Sequence, residues 1–183
     1  TARPFFNRAT QGTYPPGSTF KMVTAVAALE SGTITPSTRI TDRGVYTYYA
    51  PSSTPACWVY RSYGTTHGTI NVSQALRVSC NYFFYELGRL TGIDTLNEYG
   101  RAFGLGQATG IELPKRTGIL DGREYRAEAG KAYYGGDLLQ IAIGHIEGTS
   151  LPVGGKGTHC VISGHRGLPS ARLFTDLDQM EVG

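Results

Sequence analysis

No run of 18 or more apolar residues occurs in the chain, so no segment of it is long enough to cross a bilayer as a helix. The opening TARPFFNRATQG lacks the basic start and apolar centre of a signal peptide, and the first residue is Thr rather than Met, so the sequence reads as an excerpt. Cysteine is scarce. Cys57, Cys80 and Cys160 form an odd set without a CxxC spacing, which supports neither a disulfide framework nor a zinc site. No cofactor and no metal are expected, and the nearest approach to a metal cluster is His159, Cys160 and His165, which lack a fourth ligand. Lysine is sparse too, with 4 against 13 arginines, and these cations are scattered, so a net charge of +3 does not make a nucleic-acid platform. Internal repeats and low-complexity tracts are absent. What remains is 183 residues at 40% hydrophobic content, enough to bury a core, with 25 glycines and 12 tyrosines that suit turns and a polar-aromatic cleft.

Helical periodicity is clearest over residues 18–31, where Phe20, Val23 and Ala27 and a second set, Met22, Val26 and Leu29, follow helical spacing before Gly32. The next stretch, TITPSTRITDRGVYTYYAPSSTPACWVYRSYGTTHG, changes to short β-prone pieces broken by Pro, Gly and Ser, predicting loops and a hairpin. NVSQALRVS and NYFFYELGRLTG read as two helices with a break near Cys80, and DTLNEYGRAFG as a third, short one. GIELPKRTGILDG reads as loop or ribbon. GGDLLQIAIGH places Asp137 at an N-cap before an apolar run ending at Ile143. After residue 144 the texture becomes glycine-rich, with a β-prone THCVIS.

Ser18 and Lys21 stand three apart at the start of the first helix, on one face. One reading makes Ser18 the helix cap and Lys21 a solvated cation. The other makes Ser18 a nucleophile and Lys21 its base, which requires burial or nearby positive charge to lower the amine pKa. The start of a helix also offers backbone N–H groups to an oxyanion. A capping box would put Glu or Gln at position 21, and a cation in the first turn opposes the helix dipole by roughly 0.3–1 kcal/mol. Ser79 and Asn81 form a second candidate pair at the break between two apolar helices, with Asn81 alternatively capping the second.

SxxK followed by SxN is the pattern of penicillin-binding proteins and serine β-lactamases. In order, NRATQGTYPPGSTFK, HGTINVSQALRVSCNYFFYELG, FGLGQATGIELP, RTGILDGREYR and GGDLLQIAIG resemble the transpeptidase domain of a high-molecular-weight penicillin-binding protein over residues 1–143. The resemblance implies an α+β fold of which this chain holds the mainly helical part, with few strands. It implies acyl transfer on the D-Ala-D-Ala end of a peptidoglycan stem peptide. Ser18 would be the nucleophile, Lys21 the proton acceptor, Ser79 a relay toward the leaving amine and Asn81 a hydrogen-bond partner of the substrate amide. β-Lactams would acylate the same serine, and the setting would be extracytoplasmic, in a bacterial cell envelope. A second copy or another chain would cover the faces that a partial sheet leaves open.

The family's third motif, KTG or KSG, is not found. KRTG at 115–118 carries an inserted Arg, and GGKGTH at 154–159 separates Lys from Thr. Weak or absent turnover is therefore expected. The stretch GHIEGTSLPVGGKGTHCVISGHRGLPSARLFTDLDQMEVG resembles part of a class C sortase over residues 144–183, with His165 at the position of that family's catalytic histidine and its nucleophilic Cys missing. Two families joined near AIGHIEG are thus implied. The alternatives to a weak transpeptidase fragment are a folded chimera without turnover and a sortase-type acyltransferase fragment.

Overall fold

In the computed structural model, which describes residues 7–145, helices dominate and one two-stranded sheet lies at their edge. The elements are α1 (Arg8–Gln11), a 3₁₀ turn (Gly17–Phe20), α2 (Lys21–Glu30), β1 (Arg39–Asp42), α3 (Trp58–Tyr63), β2 (Gly68–Asn71), α4 (Val72–Arg77), α5 (Asn81–Thr91), α6 (Ile93–Ala102), α7 (Arg123–Glu128) and α8 (Gly135–Ala142). The helical part of the expectation is met. The sortase-like segment, with His159, Cys160 and His165, lies outside the described residues.

Helix α2 is the axis of the packing. Phe20, Val23 and Ala27 face Ile93, Leu96, Leu138, Ile141 and Ala142, while Ala25 and Ala28 face Phe83, Phe84 and Leu87 of α5. Small residues let neighbouring helices close in on both sides. The expected Met22, Val26 and Leu29 stripe is not the second buried face: Met22 is exposed, and Lys21 and Thr24 are buried in its stead. Thr24 satisfies its hydroxyl by donating to the Ala142 carbonyl at 2.8 Å, tying α2 to α8. α5 and α8 approach so closely that a Cβ at Gly88 would collide with that of Ala142.

The strands pair antiparallel, with Arg39 opposite Asn71 and Asp42 opposite Gly68. They are not a tight hairpin. The connection between them contains α3, within a stretch expected to be loop, and Cys57 stands at its N-cap. Asn71 closes the ladder and caps α4, accepting from the Gln74 N–H at 3.0 Å while the Gln74 side chain accepts from the Asn71 N–H at 3.0 Å. Asp137 is not the N-cap of α8; it sits in the first turn, where Oδ2 accepts the Tyr134 N–H at 2.8 Å and also binds Arg126. Arg126 reaches in addition to both oxygens of buried Asp121 at 2.8 Å, clamping α7 and its preceding loop onto α8.

Candidate active site

The 3₁₀ turn puts Ser18 one turn before α2 and leaves it without a capping role, since the N-cap of this turn is Pro16 and no side chain caps it. The Gly17 N–H donates to the Gly144 carbonyl at 2.9 Å, fastening the Ser18 loop to the end of α8. Gly144 has φ 71°, and a Cβ there would strike the Gly17 backbone, so glycine is needed for this closure.

The break between α4 and α5 is made by Ser79, which holds φ 50°, a left-handed conformation uncommon outside glycine. Cys80, not Asn81, is the N-cap of α5, its Sγ accepting the Phe83 N–H at 3.4 Å. Freed from capping, the Asn81 side chain turns to α2. Lys21 Nζ, almost wholly buried, donates to the Ser79 carbonyl at 2.9 Å, to Ser79 Oγ at 2.9 Å and to Asn81 Oδ1 at 2.6 Å. Three acceptors match the three donors of an ammonium. Ser79 Oγ in turn donates to Ser18 Oγ at 3.1 Å. The structure therefore brings together all four predicted residues of the first two motifs, and it links Ser18 to Lys21 through Ser79.

Burial lowers the Lys21 pKa to about 8, against the opposing pull of negative charge on Cys80 and Cys57. An amine poised there is neutral often enough near neutral pH to accept a proton. His145 lies beside Gly17; burial and then the Lys21 charge hold its imidazole below the ordinary value.

A second constellation sits behind the first. Asp42, Cys57, His67 and Cys80 each offer one ligand atom, all within 4.8 Å of one another. The strand register creates it: Asp42 pairs with Gly68, which puts the preceding His67 beside it. The Asp42 carboxylate accepts Gly44 N–H at 2.8 Å and His67 N–H at 3.1 Å; burial opposes its charge, but these bonds outweigh it and hold the carboxyl below the ordinary range. The edges are 3.8 Å for Cys57 Sγ to Cys80 Sγ, 3.6 Å for Cys57 Sγ to His67 Nδ1, 3.5 Å for Cys80 Sγ to Asp42 Oδ2, and 2.9 Å for His67 Nδ1 to Asp42 Oδ2. Tetrahedral zinc with Zn–S of about 2.3 Å and Zn–N or Zn–O of about 2.0–2.1 Å separates its ligands by about 3.8 Å for two sulfurs and about 3.5 Å for sulfur and nitrogen. The three edges that include a sulfur match such an ion, whereas His67 Nδ1 and Asp42 Oδ2, hydrogen-bonded at 2.9 Å, would have to part to about 3.3 Å to share it. These four residues are a candidate metal set that the expectation of no metal did not consider. Cysteine spacing hid it, because the ligands come from four separate segments and the pairings Asp42–His67 and Cys57–Cys80 span 25 and 23 residues.

The sequence matches the penicillin binding protein transpeptidase domain over residues 1–152. The chain belongs to that family. Peptidoglycan D,D-transpeptidase MrdA of Acinetobacter baumannii is 33% identical over 184 aligned residues, covering 94% of this chain and 27% of the relative. PBP2 of Pseudomonas aeruginosa, solved in complex with WCK 5153, superposes with TM-score 0.73 at 30% identity, covering 82% of this chain and 33% of that one. Penicillin-binding protein A of M. tuberculosis, solved as a penicillin G acyl-enzyme, gives TM-score 0.66 at 28% identity, covering 81% of this chain and 32% of that one. The chain spans about a quarter of the length of the curated relatives it matches. The penicillin-binding transpeptidase match also runs past residue 143, through part of the segment expected to resemble a sortase.

Proposed function

We propose that this chain carries the nucleophile half of a peptidoglycan D,D-transpeptidase site. What carries this reading is the hydrogen-bond chain from buried Lys21 through Ser79 to half-buried Ser18. With Lys21 neutral the two hydroxyls reverse, Ser18 donating to Ser79 and Ser79 to the amine, and the Ser18 proton passes to Ser79 and the Ser79 proton to Lys21 as Ser18 Oγ bonds to the carbonyl carbon of a D-Ala-D-Ala stem peptide. Collapse of the tetrahedral adduct breaks the C–N bond, and the proton returns through Ser79 to the departing D-Ala amine. Asn81, held by Lys21 through Oδ1, turns its amide nitrogen to the substrate. A β-lactam ring would be opened by the same serine; the M. tuberculosis relative is solved as a penicillin G acyl-enzyme. The reaction belongs on the outer side of the bacterial membrane, at the cell wall.

The cluster of Asp42, Cys57, His67 and Cys80 would hold zinc as a brace. It would tie β1, the start of α3, β2 and the Ser79–Cys80–Asn81 break together, and the ion would supply charge to balance the thiolates and the carboxylate.

Incubation with a fluorescent penicillin, followed by intact-mass and peptide analysis, tests the nucleophile. A single adduct on the Ser18 peptide is expected, lost in Ser18→Ala. An adduct that persists in Ser18→Ala, or no adduct after prolonged exposure, overturns the reading.

A further inference from the structure

Two of the four cluster ligands are cysteines whose sulfurs touch each other. Cys57 Sγ and Cys80 Sγ stand 3.8 Å apart, both wholly buried, at the N-caps of α3 and α5. One side of the pair faces His67 Nδ1 at 3.6 Å and Asp42 Oδ2 at 3.5 Å. We infer that this is a redox-gated zinc site, in which zinc is held while both sulfurs are thiolates and is expelled when a small-molecule disulfide joins Cys57 to Cys80.

The chemistry balances. One zinc-bound thiolate attacks the reagent RS–SR, forming a mixed disulfide and releasing RS⁻. The other protein thiolate then attacks the mixed disulfide, forming the Cys57–Cys80 bond and releasing a second RS⁻. Two electrons pass from the protein sulfurs to the reagent, and zinc leaves as Zn²⁺ with its charge unchanged. Release follows because a disulfide sulfur is no longer an anionic ligand. Only His67 and Asp42 remain, half of the four that a structural zinc requires.

The specific content is in the second thiol. A site with one cysteine would bind zinc without a partner for oxidation, whereas here the partner is already in contact. The thiolates also select for zinc over magnesium or calcium, which prefer oxygen. Oxidation would be sensed at the catalytic centre itself, since Cys80 lies between Ser79 and Asn81.

The experiment uses the full 183-residue chain, purified reduced and saturated with zinc, then freed of excess metal. Bound metal is counted by mass spectrometry, and oxidised glutathione is added while a chromophoric chelator reads released zinc. Free thiols are counted by alkylation and intact mass, and tryptic peptides locate any disulfide. One zinc per chain is expected, released as two thiols disappear, with a Cys57–Cys80 linked peptide and recovery of zinc binding after reduction by a phosphine. Cys57→Asp, which keeps an anionic ligand, should retain zinc and hold it against the same oxidant. A reduced chain that binds no zinc, thiol loss that leaves zinc bound, or equal release from Cys57→Asp each overturns the inference. No readout involves penicillin, so failure here and failure of the Ser18 reading are separate results.

Discussion

On the proposed mechanism the acylation rate should follow the charge of Lys21, because Ser18 gives up its proton only when that amine is neutral. Lys21 is displaced from an ordinary value of 10.5 to about 8 by burial. With that value the neutral fraction is about 1% at about pH 6, about 10% at about pH 7 and half at about pH 8. The second-order constant for acylation by penicillin G, read by quenched intact-mass time courses, should thus rise roughly 50-fold between about pH 6 and 8, and level off above about pH 9. His145 is the neighbouring base that could confuse the profile. Its imidazole is held below its ordinary range, so it is already neutral where Lys21 titrates. Stability carries the same signature with a defined sign. The folded pKa lies below the unfolded one, so between about pH 8 and 10.5 the unfolded chain binds more protons and stability rises with pH. Below that window the buried ammonium costs on the order of 3 kcal/mol relative to an unperturbed lysine. A flat rate profile, or a midpoint near the ordinary lysine value, would refute the assignment of Lys21 as the proton acceptor.

Two further substitutions probe the site and its scaffold. Ser79→Ala removes the hydroxyl that links Lys21 to Ser18, and acylation measured by the same mass assay should fall by about 10²–10⁴, while urea denaturation shows a loss of only about 1 kcal/mol. Arg126→Ala leaves the buried Asp121 carboxylate without its bidentate partner and frees α8 from α7, so chemical denaturation should show a loss of about 3–5 kcal/mol.

The Ser18–Lys21 candidate was legible because its chemistry contradicts its local structure: a lysine in the first turn of a helix, followed downstream by a polar pair between two apolar helices. The sequence could not decide whether Ser18 and Asn81 were caps. That depended on how the turns were made. The 3₁₀ turn passed the N-cap to Pro16, and the left-handed Ser79 passed the α5 cap to Cys80. Helices α5 and α6 were readable from periodicity, whereas α3 was hidden by a stretch rich in Pro, Gly and Ser. Helical spacing did not mark which apolar residues of α2 are buried: Met22 is exposed, while tertiary hydrogen bonds make Lys21 and Thr24 core residues. Asp42 and His67 carried no local signal. Their proximity follows from strand register, and a register between segments separated by α3 cannot be read from spacing.

The three residues at the α4–α5 break explain how two centres share one segment. Cys80 has extended backbone, φ −66° and ψ 109°, and in extended chain successive side chains point to opposite sides. Ser79 and Asn81 therefore fall on the side of Lys21, while Cys80 turns the other way, to Asp42 and Cys57. A helical Ser79 would carry α4 straight on and put residues 79 and 81 on different faces, so the positive φ is what makes the alternation available. That conformation costs on the order of 1 kcal/mol, and it is held from both ends: by the Lys21 bonds to the Ser79 carbonyl and hydroxyl, and by Cys80 anchored in the cluster. A loosened Cys80 would relax the strain at Ser79 before it disturbed anything in α2. The candidate ligand cluster and the Lys21–Ser79–Ser18 chain thus meet at one backbone position, Ser79.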